Sequence, residues 1–464
     1  MTTARSEAPD LVSGREAAVR AVCGALGRGR FVHETLAALA EQQRLAPREH
    51  ALALNVALGA IRHFFTIRCV LRAVAGVDPR RTPRETLAIL ATGAYQLIWM
   101  DRVPAFAAVH EAVELARAVV GGRAPRLVNA VLRRLTGSIV EARTDWRRLS
   151  PRHVRVDYQR ACRFSQDVLP APDDLVAHLA AATGERPQRF RKWVQRHGPD
   201  VAESIAWASQ AQPAIVLQRA RLRVGADAFA ARVRAEFGAG AELAGDAAFL
   251  PSAAAASSAG LFREGLAFVQ DPTAHEAARF VGARPGERVL DLCAAPGGKS
   301  LVIAEDLDNR GLVLACDTSA AGVARIAENA ARLGLDCIRA ARLDDAGDEG
   351  AFDAAIVDAP CSNSGVLARR PEARLSLTPR KLASLVALQR ELLDRAAARL
   401  RPGGRLIYST CSIEPQENDE VVAGFARGRP DWAIAATRTT LPAWGARLAD
   451  WHDGGYVAML MAPP

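Results

Sequence analysis

The sequence predicts an all-α bundle, then a small mixed α/β region, then an α/β domain with a mostly parallel sheet. Residues 14–143 carry apolar side chains at helical spacing and show few strand signals. After Gly265, short β-rich runs alternate with helical stretches, which is typical of a parallel sheet covered by helices on both faces. The length of 464 residues allows about three folded units at roughly 150 residues each.

Proline and glycine divide the N-terminal segment into short helices. Apolar stripes such as the one between Val19 and Leu26 are expected to face the core of the bundle. The breaks fall at Pro47, at residues 76–83, at Pro104 and at residues 121–122. The first unit is therefore expected to be a bundle of short helices.

The net charge of +9 is concentrated in the first third of the chain. Residues 1–150 hold 22 arginines and 13 acidic residues, an excess equal to that of the whole protein. The only lysines are Lys192, Lys299 and Lys381, so a codon bias of the genome explains arginine over lysine but not the basic first third. A basic module beside a neutral one favours a polyanionic partner, and nucleic acid is the first candidate.

Composition excludes several classes of protein. With 50% hydrophobic and 24% charged residues, the chain is expected to fold as a globular protein. No apolar run approaches the roughly 18 residues that a membrane span needs, and no leader pattern is visible, so we expect a cytoplasmic protein and no membrane partner. The eight cysteines include no CxxC pair, which predicts neither a disulfide framework nor a metal site. The oligomeric state is not readable, and a monomer is the default expectation.

The middle of the chain combines helical stretches with a strand-like run at residues 214–224, and residues 252–260 are expected to form a loop. In the C-terminal part five strands are expected, and ligands of such folds bind at the carboxyl ends of the strands. These strands are Glu287–Leu292, Gly311–Cys316, Cys337–Leu343, Phe352–Val357 and Gly404–Ser409.

The first of these strands leads into a glycine-containing loop, DLCAAPGGKS, that opens a helix. Gly297 and Gly298 allow the backbone to pass close to a ligand, and the helix start offers N–H groups to an anion. The loop is neither a Walker A motif, because Cys293 stands where the first glycine is needed, nor a GxGxxG fingerprint. Asp317 follows the second strand, where such folds place an acid against ribose hydroxyls. A ligand such as S-adenosylmethionine fits this pattern, whereas a plain tight turn is the alternative for the loop alone.

Two cysteines follow the fourth and fifth strands. Cys361 lies in the run DAPCSNSG and Cys411 in the run YSTCSI. A single buried cysteine is usually a packing residue, which is the role we give to Cys293 and Cys316. Two cysteines at neighbouring strand ends, beside a ligand loop, indicate thiol chemistry instead.

The runs DLCAAPGGKS, DAPCSNSGV and GGRLIYSTCSIEPQENDEVV resemble the signature motifs of the Sun family of RNA cytosine-5 methyltransferases. The run LVNAVLRR at residues 127–134 is similar to the NusB RNA-binding fold, and this fusion resembles the members that act on small-subunit (16S) ribosomal RNA. Asn363 stands at a position where the family usually has a small residue. The resemblance implies a NusB-like domain at 1–143, a middle region and linker at 144–260, and a Rossmann-like class I methyltransferase domain at 261–464.

Carbon 5 of cytosine is a poor nucleophile, so a thiolate must first add to carbon 6 before a methyl group can be accepted. The resemblance implies that Cys411 is this nucleophile and that Cys361 helps to break the adduct after carbon 5 has lost its proton. Asp358 would then bond the cytosine edge near the third nitrogen and help to protonate it, which requires it to hold a proton. Lys299 would favour the thiolate or, alternatively, bind a carboxylate.

The cofactor implied by the resemblance and the loop is S-adenosylmethionine. Asp317 is expected on the ribose, and Asp344 or Asp345 near the adenine, with Asp344 favoured because it directly follows the third strand. The target base must leave any helical stack, so a loop or opened region of RNA is the expected substrate. The expected cofactor contacts are Cys293, Ala294, Ala295, Pro296, Gly297, Gly298, Lys299, Asp317, Asp344 and Asp358.

Three alternatives remain at this point. An amino-directed methyltransferase needs no cysteine and shows Asn or Asp before Pro-Pro and an aromatic residue, which the run from Asp358 to Cys361 lacks. A non-catalytic RNA-binding or ribosome-assembly protein with a decayed methyltransferase domain is disfavoured by the two cysteines, the glycine loop and Asp317. A cytosine-5 methyltransferase that acts on transfer RNA would show the same motifs.

Overall fold

The computed structural model describes residues 12–42, 45–251, 256, 259–344 and 351–464. The chain forms two compact units. Unit 1 consists of Met1–Ala211 and Leu367–Ser376, and unit 2 consists of Gln212–Val366 and Leu377–Pro464. The middle region expected at 144–260 is thus divided at Ala211, and the loop expected at 252–260 lies largely outside the described residues.

Unit 1 opens with the helical bundle that the apolar periodicity predicts. Its helices are α1 (Gly14–Arg28), α2 (Val32–Glu41), α3 (Pro47–Arg62), α4 (Phe64–Ala75), α5 (Arg84–Trp99), α6 (Ala105–Val119) and α7 (Ala124–Ser138). Helix α5 lies at the centre, buried from Thr86 to Gln96, and packs against α1, α3, α6 and α7. Gly59 of α3 permits this packing, because a Cβ there would overlap the ring of Tyr95.

The rest of unit 1 is a small antiparallel sheet followed by three helices. The sheet has the order β1-β3-β2, with both pairs antiparallel. The elements are β1 (Ile139–Asp145), β2 (His153–Arg155), β3 (Arg160–Phe164), α8 (Leu175–Ala182), α9 (Pro187–His197) and α10 (Pro199–Gln210).

Unit 2 begins with a four-stranded antiparallel sheet of order β5-β6-β4-β7. Of the strand-like run expected at residues 214–224, only Ile215–Arg219 forms a strand, β4, and the residues after it form a turn. The elements are β4 (Ile215–Arg219), α11 (Ala226–Phe237), β5 (Glu242–Ala244), β6 (Ala247–Leu250), α12 (Gly260–Arg263) and β7 (Ala267–Val269).

The larger sheet of unit 2 has seven strands in the order β10-β9-β8-β11-β12-β14-β13. The strands β8 to β12 are parallel, as expected, whereas β14 and β13 extend the sheet in antiparallel fashion. The elements are α13 (Pro272–Arg279), β8 (Arg288–Asp291), α14 (Gly298–Asp306), β9 (Leu312–Asp317), α15 (Ala320–Leu333), β10 (Ile338–Arg342), β11 (Phe352–Asp358), α16 (Ala373–Ser376), α17 (Pro379–Ala397), β12 (Leu400–Thr410), α18 (Asp419–Arg427), β13 (Ala433–Thr440) and β14 (Gly455–Met461); of these, α16 belongs to unit 1.

Helices cover both faces of this sheet. On β11, Ala354 and Ile356 pack on one face with apolar residues of α13 and α14. The alternate residues Ala355 and Val357 pack on the other face with residues of α17 and α18, including Leu393. Because both faces are buried, the central strands are continuously apolar and their polar residues collect at the carboxyl ends.

Between β11 and α17 the chain contributes the segment Leu367–Ser376 to unit 1. Arg374 of α16 is fully buried there, and its guanidinium donates to the carbonyl oxygens of Thr183, Gly184 and Ser209. The carboxylate of Glu372 accepts a hydrogen bond of 2.8 Å from the N–H of Val32. Unit 1 is therefore completed by a segment that is distant in sequence.

Within the described part of the chain, no single helix is long and apolar enough to cross a bilayer. Helices α3 and α4 reach that length and composition only as a pair bent by 72°. In the same residues, no group of three or more His, Cys, Asp or Glu side chains is arranged to hold a metal ion.

Candidate active site

The carboxyl end of β8 carries a buried carboxylate. Asp291 is fully buried, and its Oδ2 accepts a hydrogen bond of 2.7 Å from the hydroxyl of Ser300. Its Oδ1 has no hydrogen-bond partner among the described residues. Burial raises the pKa of Asp291 to about 7, and the negative charge of Asp358 adds to this shift. This carboxylate therefore favours a nearby cation or a proton.

The loop after Asp291 folds back onto the sheet and then opens helix α14. The N–H of Ala294 donates to the carbonyl oxygen of Cys316 at 2.8 Å, and Asn329 donates to the carbonyl oxygen of Pro296 at 3.0 Å. Gly297 has a φ of +105°, which only glycine adopts readily. The start of α14 at Gly298 therefore presents backbone N–H groups at the end of the sheet.

Asp317 ends β9, as the sequence predicts. Its Oδ1 accepts hydrogen bonds from the N–H and the hydroxyl of Ser319, at 2.9 and 3.0 Å. A Cβ on Gly322 would overlap this carboxylate. Gly322 was not singled out from the sequence, although it is the residue that leaves room for Asp317 at the start of α15.

Asp344 lies two residues beyond β10. Its side chain is 76% exposed, and the guanidinium of Arg395 lies 4.0 Å from it. Asp345, the alternative adenine acid, lies outside the described residues. The position of Asp344 at this edge of the sheet matches the expectation, while an adenine contact stays a prediction.

The two predicted cysteines lie side by side at the ends of β11 and β12. These strands pair in parallel with Asp358 opposite Ser409, so the residues that follow them meet at one edge. The sulfur atoms of Cys361 and Cys411 are 3.1 Å apart. The hydrogen bond with Cys411, burial, and the charge of Cys411 raise the pKa of Cys361 well above its usual value. Cys361 is thus held as a protonated thiol beside a partly exposed Cys411.

Asn363, the departure from the family motif, also contacts the thiol pair. Its backbone has a φ of +59°, a conformation that asparagine tolerates better than most residues. Its Oδ1 accepts a hydrogen bond of 3.3 Å from the sulfur of Cys411, and its Nδ2 donates to the carbonyl oxygen of Cys361 at 3.1 Å. The side chain of Asn363 therefore bridges the two cysteine loops.

Lys299 and Asp358 form an ion pair beside the thiols. The Nζ atom of Lys299 lies 2.5 Å from Oδ2 of Asp358. Burial lowers the pKa of Lys299, but the charge and hydrogen bond of Asp358, together with the charges of Asp291 and Cys411, outweigh this effect, so the pKa lies above its usual value. Of the two roles considered for Lys299, the ion pair shows a contact with a carboxylate, that of Asp358, and the role toward the thiolate stays a prediction.

A buried carboxylate that the sequence did not reveal joins the two cysteine loops. Oε1 of Glu417 accepts hydrogen bonds from the N–H of Ser362 at 2.8 Å and from Nε2 of Gln389 at 3.0 Å. Its Oε2 accepts a hydrogen bond of 2.7 Å from the hydroxyl of Ser412. Since Ser362 and Ser412 each follow a site cysteine, Glu417 fixes one loop against the other. The only signal was its place within the run SIEPQEN.

The fold and this site define a Rossmann-like methyltransferase that depends on S-adenosylmethionine and has two thiols at the carboxyl edge of its sheet. Residues 278–447 match the family described as 16S rRNA methyltransferase RsmB/F, and residues 13–137 match the NusB family. Ribosomal RNA small subunit methyltransferase B of Vibrio cholerae is 32% identical over 467 aligned residues, which cover 97% of this chain and 98% of that protein. The chain belongs to the RsmB/F family of methyltransferases with an N-terminal NusB domain.

Solved structures show the same fold. The crystal structure of PH0851 superposes with a TM-score of 0.70 at 19% identity, covering 97% of this chain and 99% of that one. NSun6 from Pyrococcus horikoshii, solved with SFG, an analogue of S-adenosylmethionine, has a TM-score of 0.52 at 17% identity and covers 59% of this chain and 97% of that one. These structures confirm the predicted fold class, and the family to which the chain belongs confirms the predicted cofactor.

Proposed function

We propose that this protein transfers the methyl group of S-adenosylmethionine to carbon 5 of a cytosine in 16S ribosomal RNA, through a covalent bond between Cys411 and carbon 6 of the base. The observation that supports this most directly is the pair of thiols 3.1 Å apart at the ends of β11 and β12. The relative in Vibrio cholerae, whose name gives ribosomal RNA of the small subunit as its substrate, supports the choice of RNA.

The residues at the end of β8 suit the methionine part of the cofactor, which has one ammonium and one carboxylate group. The unpaired Oδ1 of Asp291 suits the ammonium, and the N–H groups at the start of α14 suit the carboxylate. The expected holders are the loop Cys293–Lys299, Asp317 on the ribose, Asp344 near the adenine, and Asp358. When bound, the cofactor supplies an electrophilic methyl group.

Cys411 activates the base. Its thiolate forms a bond to carbon 6, and the electrons of the bond between carbons 5 and 6 move to carbon 5, which then accepts the methyl group. The ammonium of Lys299 favours the thiolate before the attack. Asp358 is expected to lie near the third nitrogen of the base, where negative charge develops. Because its carboxylate is ion-paired with Lys299, the proton that it passes to this nitrogen would come from the Lys299 ammonium, which donates to it at 2.5 Å.

Cys361 assists release. After carbon 5 has lost its proton to a base, the electrons of that C–H bond restore the double bond, and the bond between carbon 6 and sulfur breaks. Cys411 then leaves as a thiolate. Because Cys361 keeps its proton, its S–H group can donate a hydrogen bond to the departing sulfur 3.1 Å away.

The basic first third of the chain provides the electrostatic attraction for RNA. We expect the protein to act as a monomer and in the cytoplasm.

Bisulfite sequencing of RNA from a strain that lacks the gene tests this function. We expect one 16S cytosine to lose its protection from conversion, and to regain it with the wild-type gene but not with Cys411→Ala. Loss of protection in transfer RNA alone would show that transfer RNA, and not 16S RNA, is the substrate. No change in any RNA would contradict the proposed function.

A further inference from the structure

Helices α6 and α7 of unit 1 enclose an open groove of about 430 Å³. Val109 and Val113 of α6 contribute apolar surface to it, and Asn129 and Arg133 of α7 contribute polar groups. The volume lies within the range of roughly 300–1,000 Å³ that is typical of sites for small molecules. The groove is therefore large enough for a group of the size of one nucleotide.

Phe106 stands at this groove with 79% of its surface exposed, the largest value among the exposed large hydrophobic residues of the described chain. The free energy falls when another flat group covers an aromatic ring that was exposed to water. Residues 105–109 form the first turn of α6, so the ring is held on a rigid element. Phe106 is thus an exposed and positioned surface for stacking.

Among the described residues that line the groove, Arg133 is the only one with a charged side chain. Residues 115–140 contain five arginines and no acidic residue. Arg123, Arg126, Arg133 and Arg134 are exposed and form no ion pair with any described residue. Arg133 lines the groove, where its Nε donates to Oδ1 of Asn129 at 3.0 Å, which leaves its terminal NH2 groups available to an anion. Both charge and shape therefore fit an anionic ligand with a flat ring.

We propose that this groove binds one unpaired nucleotide of the RNA, with its base stacked on Phe106 and its phosphate at Arg133. This inference rests on the proposed function, since it takes the substrate RNA as the ligand. Stacking on an aromatic ring is tolerant of sequence, and an unpaired base exposes the face that stacking needs. The groove would then hold a single-stranded segment of the same RNA that is methylated.

The test measures binding of a fluorescent single-stranded oligoribonucleotide, and of its duplex, to the full-length protein over a salt series. We expect Phe106→Ala to weaken single-strand binding at least about fivefold and Phe106→Trp to restore it, because the indole can still stack. Duplex binding should stay within twofold in both variants. Val140→Ala, which truncates an apolar side chain 49% exposed outside the groove, should bind like the wild type.

The arginine is tested in the same series. Arg133→Gln should reduce the salt slope for the single strand by about 0.7, the value of one phosphate contact. Arg117→Gln, on α6 but paired with Glu114, should change the slope less.

An unchanged affinity of Phe106→Ala for the single strand would contradict the proposal that the groove binds a nucleotide, even if the wild type methylates 16S RNA in full. An affinity for a ribosomal protein that Phe106→Ala abolishes, with RNA affinity unchanged, would also overturn it and assign the groove to a protein. Absence of methylation by the wild type would instead contradict the proposed function, so the two failures are distinguishable.

Discussion

Glu417 is expected to hold the two thiol loops together, and Glu417→Ala removes the acceptor for three hydrogen bonds. The structure shows which donors find other partners. Nε2 of Gln389 keeps the carbonyl oxygen of Pro360 at 2.9 Å, and the hydroxyl of Ser412 can turn to Ser364 Oγ at 3.1 Å. Only the buried N–H of Ser362 is left without an acceptor. We therefore expect the free energy of unfolding to fall by about 3 kcal/mol. This value is near the upper end of the cost of one buried donor without an acceptor, together with two weakened hydrogen bonds.

The matched control is Glu417→Gln. Its carbonyl oxygen can replace Oε1, and its NH2 group can donate to Ser412 Oγ, whose own proton then turns to a neighbouring serine. This variant should lose less than about 1 kcal/mol. Urea unfolding gives the stability, and transfer of a radiolabelled methyl group gives the rate. Glu417→Ala should lower kcat tenfold or more and leave the cofactor Kd within about twofold, because the carboxylate contacts the thiol loops and not the glycine loop.

Two results would refute this reasoning. Wild-type stability and rate in Glu417→Ala would show that the carboxylate does not hold the loops. Equal losses in Glu417→Ala and Glu417→Gln would show that its charge matters rather than its hydrogen bonds.

Four further expectations follow from the geometry. Cys411→Ala should abolish methyl transfer and leave cofactor affinity nearly unchanged by calorimetry; turnover above a few per cent of wild type would remove it as nucleophile. Cys361→Ala should accumulate a covalent RNA–protein complex, seen as a slow band on a denaturing gel, whereas a purely structural Cys361 would trap nothing. The pKa of the Asp291 carboxyl is 3.8 in the unfolded chain, its ordinary value, and about 7 in the folded protein, so the folded state binds more protons between these values. The contribution of this group to stability therefore falls as pH rises from about 4 to 7, so the wild type should lose stability in urea relative to Asp291→Asn over this range; equal slopes would contradict the shift. Arg374→Met should destabilise unit 1 by roughly 3 kcal/mol, because three buried carbonyl oxygens lose their donor; an unchanged urea midpoint would show that these bonds contribute nothing.

The parallel core and the main site residues were predictable from the sequence. Apolar runs located β8, β9, β11 and β12, since strands buried on both faces leave a continuous signal, whereas the edge strand β10 is half-exposed and was located by its β-rich run alone. The ends of parallel strands meet at one edge, which is why Cys361 and Cys411 were expected to lie together. The ligand loop after Asp291 was predictable because two adjacent glycines between a strand and a helix are typical of a backbone that passes close to a ligand.

Other features left no local signal. Strand β13 is almost wholly exposed, so its residues show no buried face, and β14 depends on pairing with β12. Glu417 lies in a run of polar residues that is typical of a surface, and only the fold places it in the interior. The contribution of Leu367–Ser376 to unit 1 depends on contacts with residues more than 150 positions earlier. The hydrophobic periodicity of the sequence does not indicate such contacts.

That segment has a consequence for how the protein is made. A nascent chain emerges from the ribosome in sequence order, and domains generally fold as they appear. The helices of unit 1 leave the ribosome early, yet the carbonyl oxygens of Thr183, Gly184 and Ser209 receive their donor only when Arg374 has itself emerged. By then the strands β8 to β11 of unit 2 have also emerged. The N-terminal unit therefore matures during translation of the catalytic domain rather than before it, and a chain arrested before Leu367 holds unit 1 in an unfinished state.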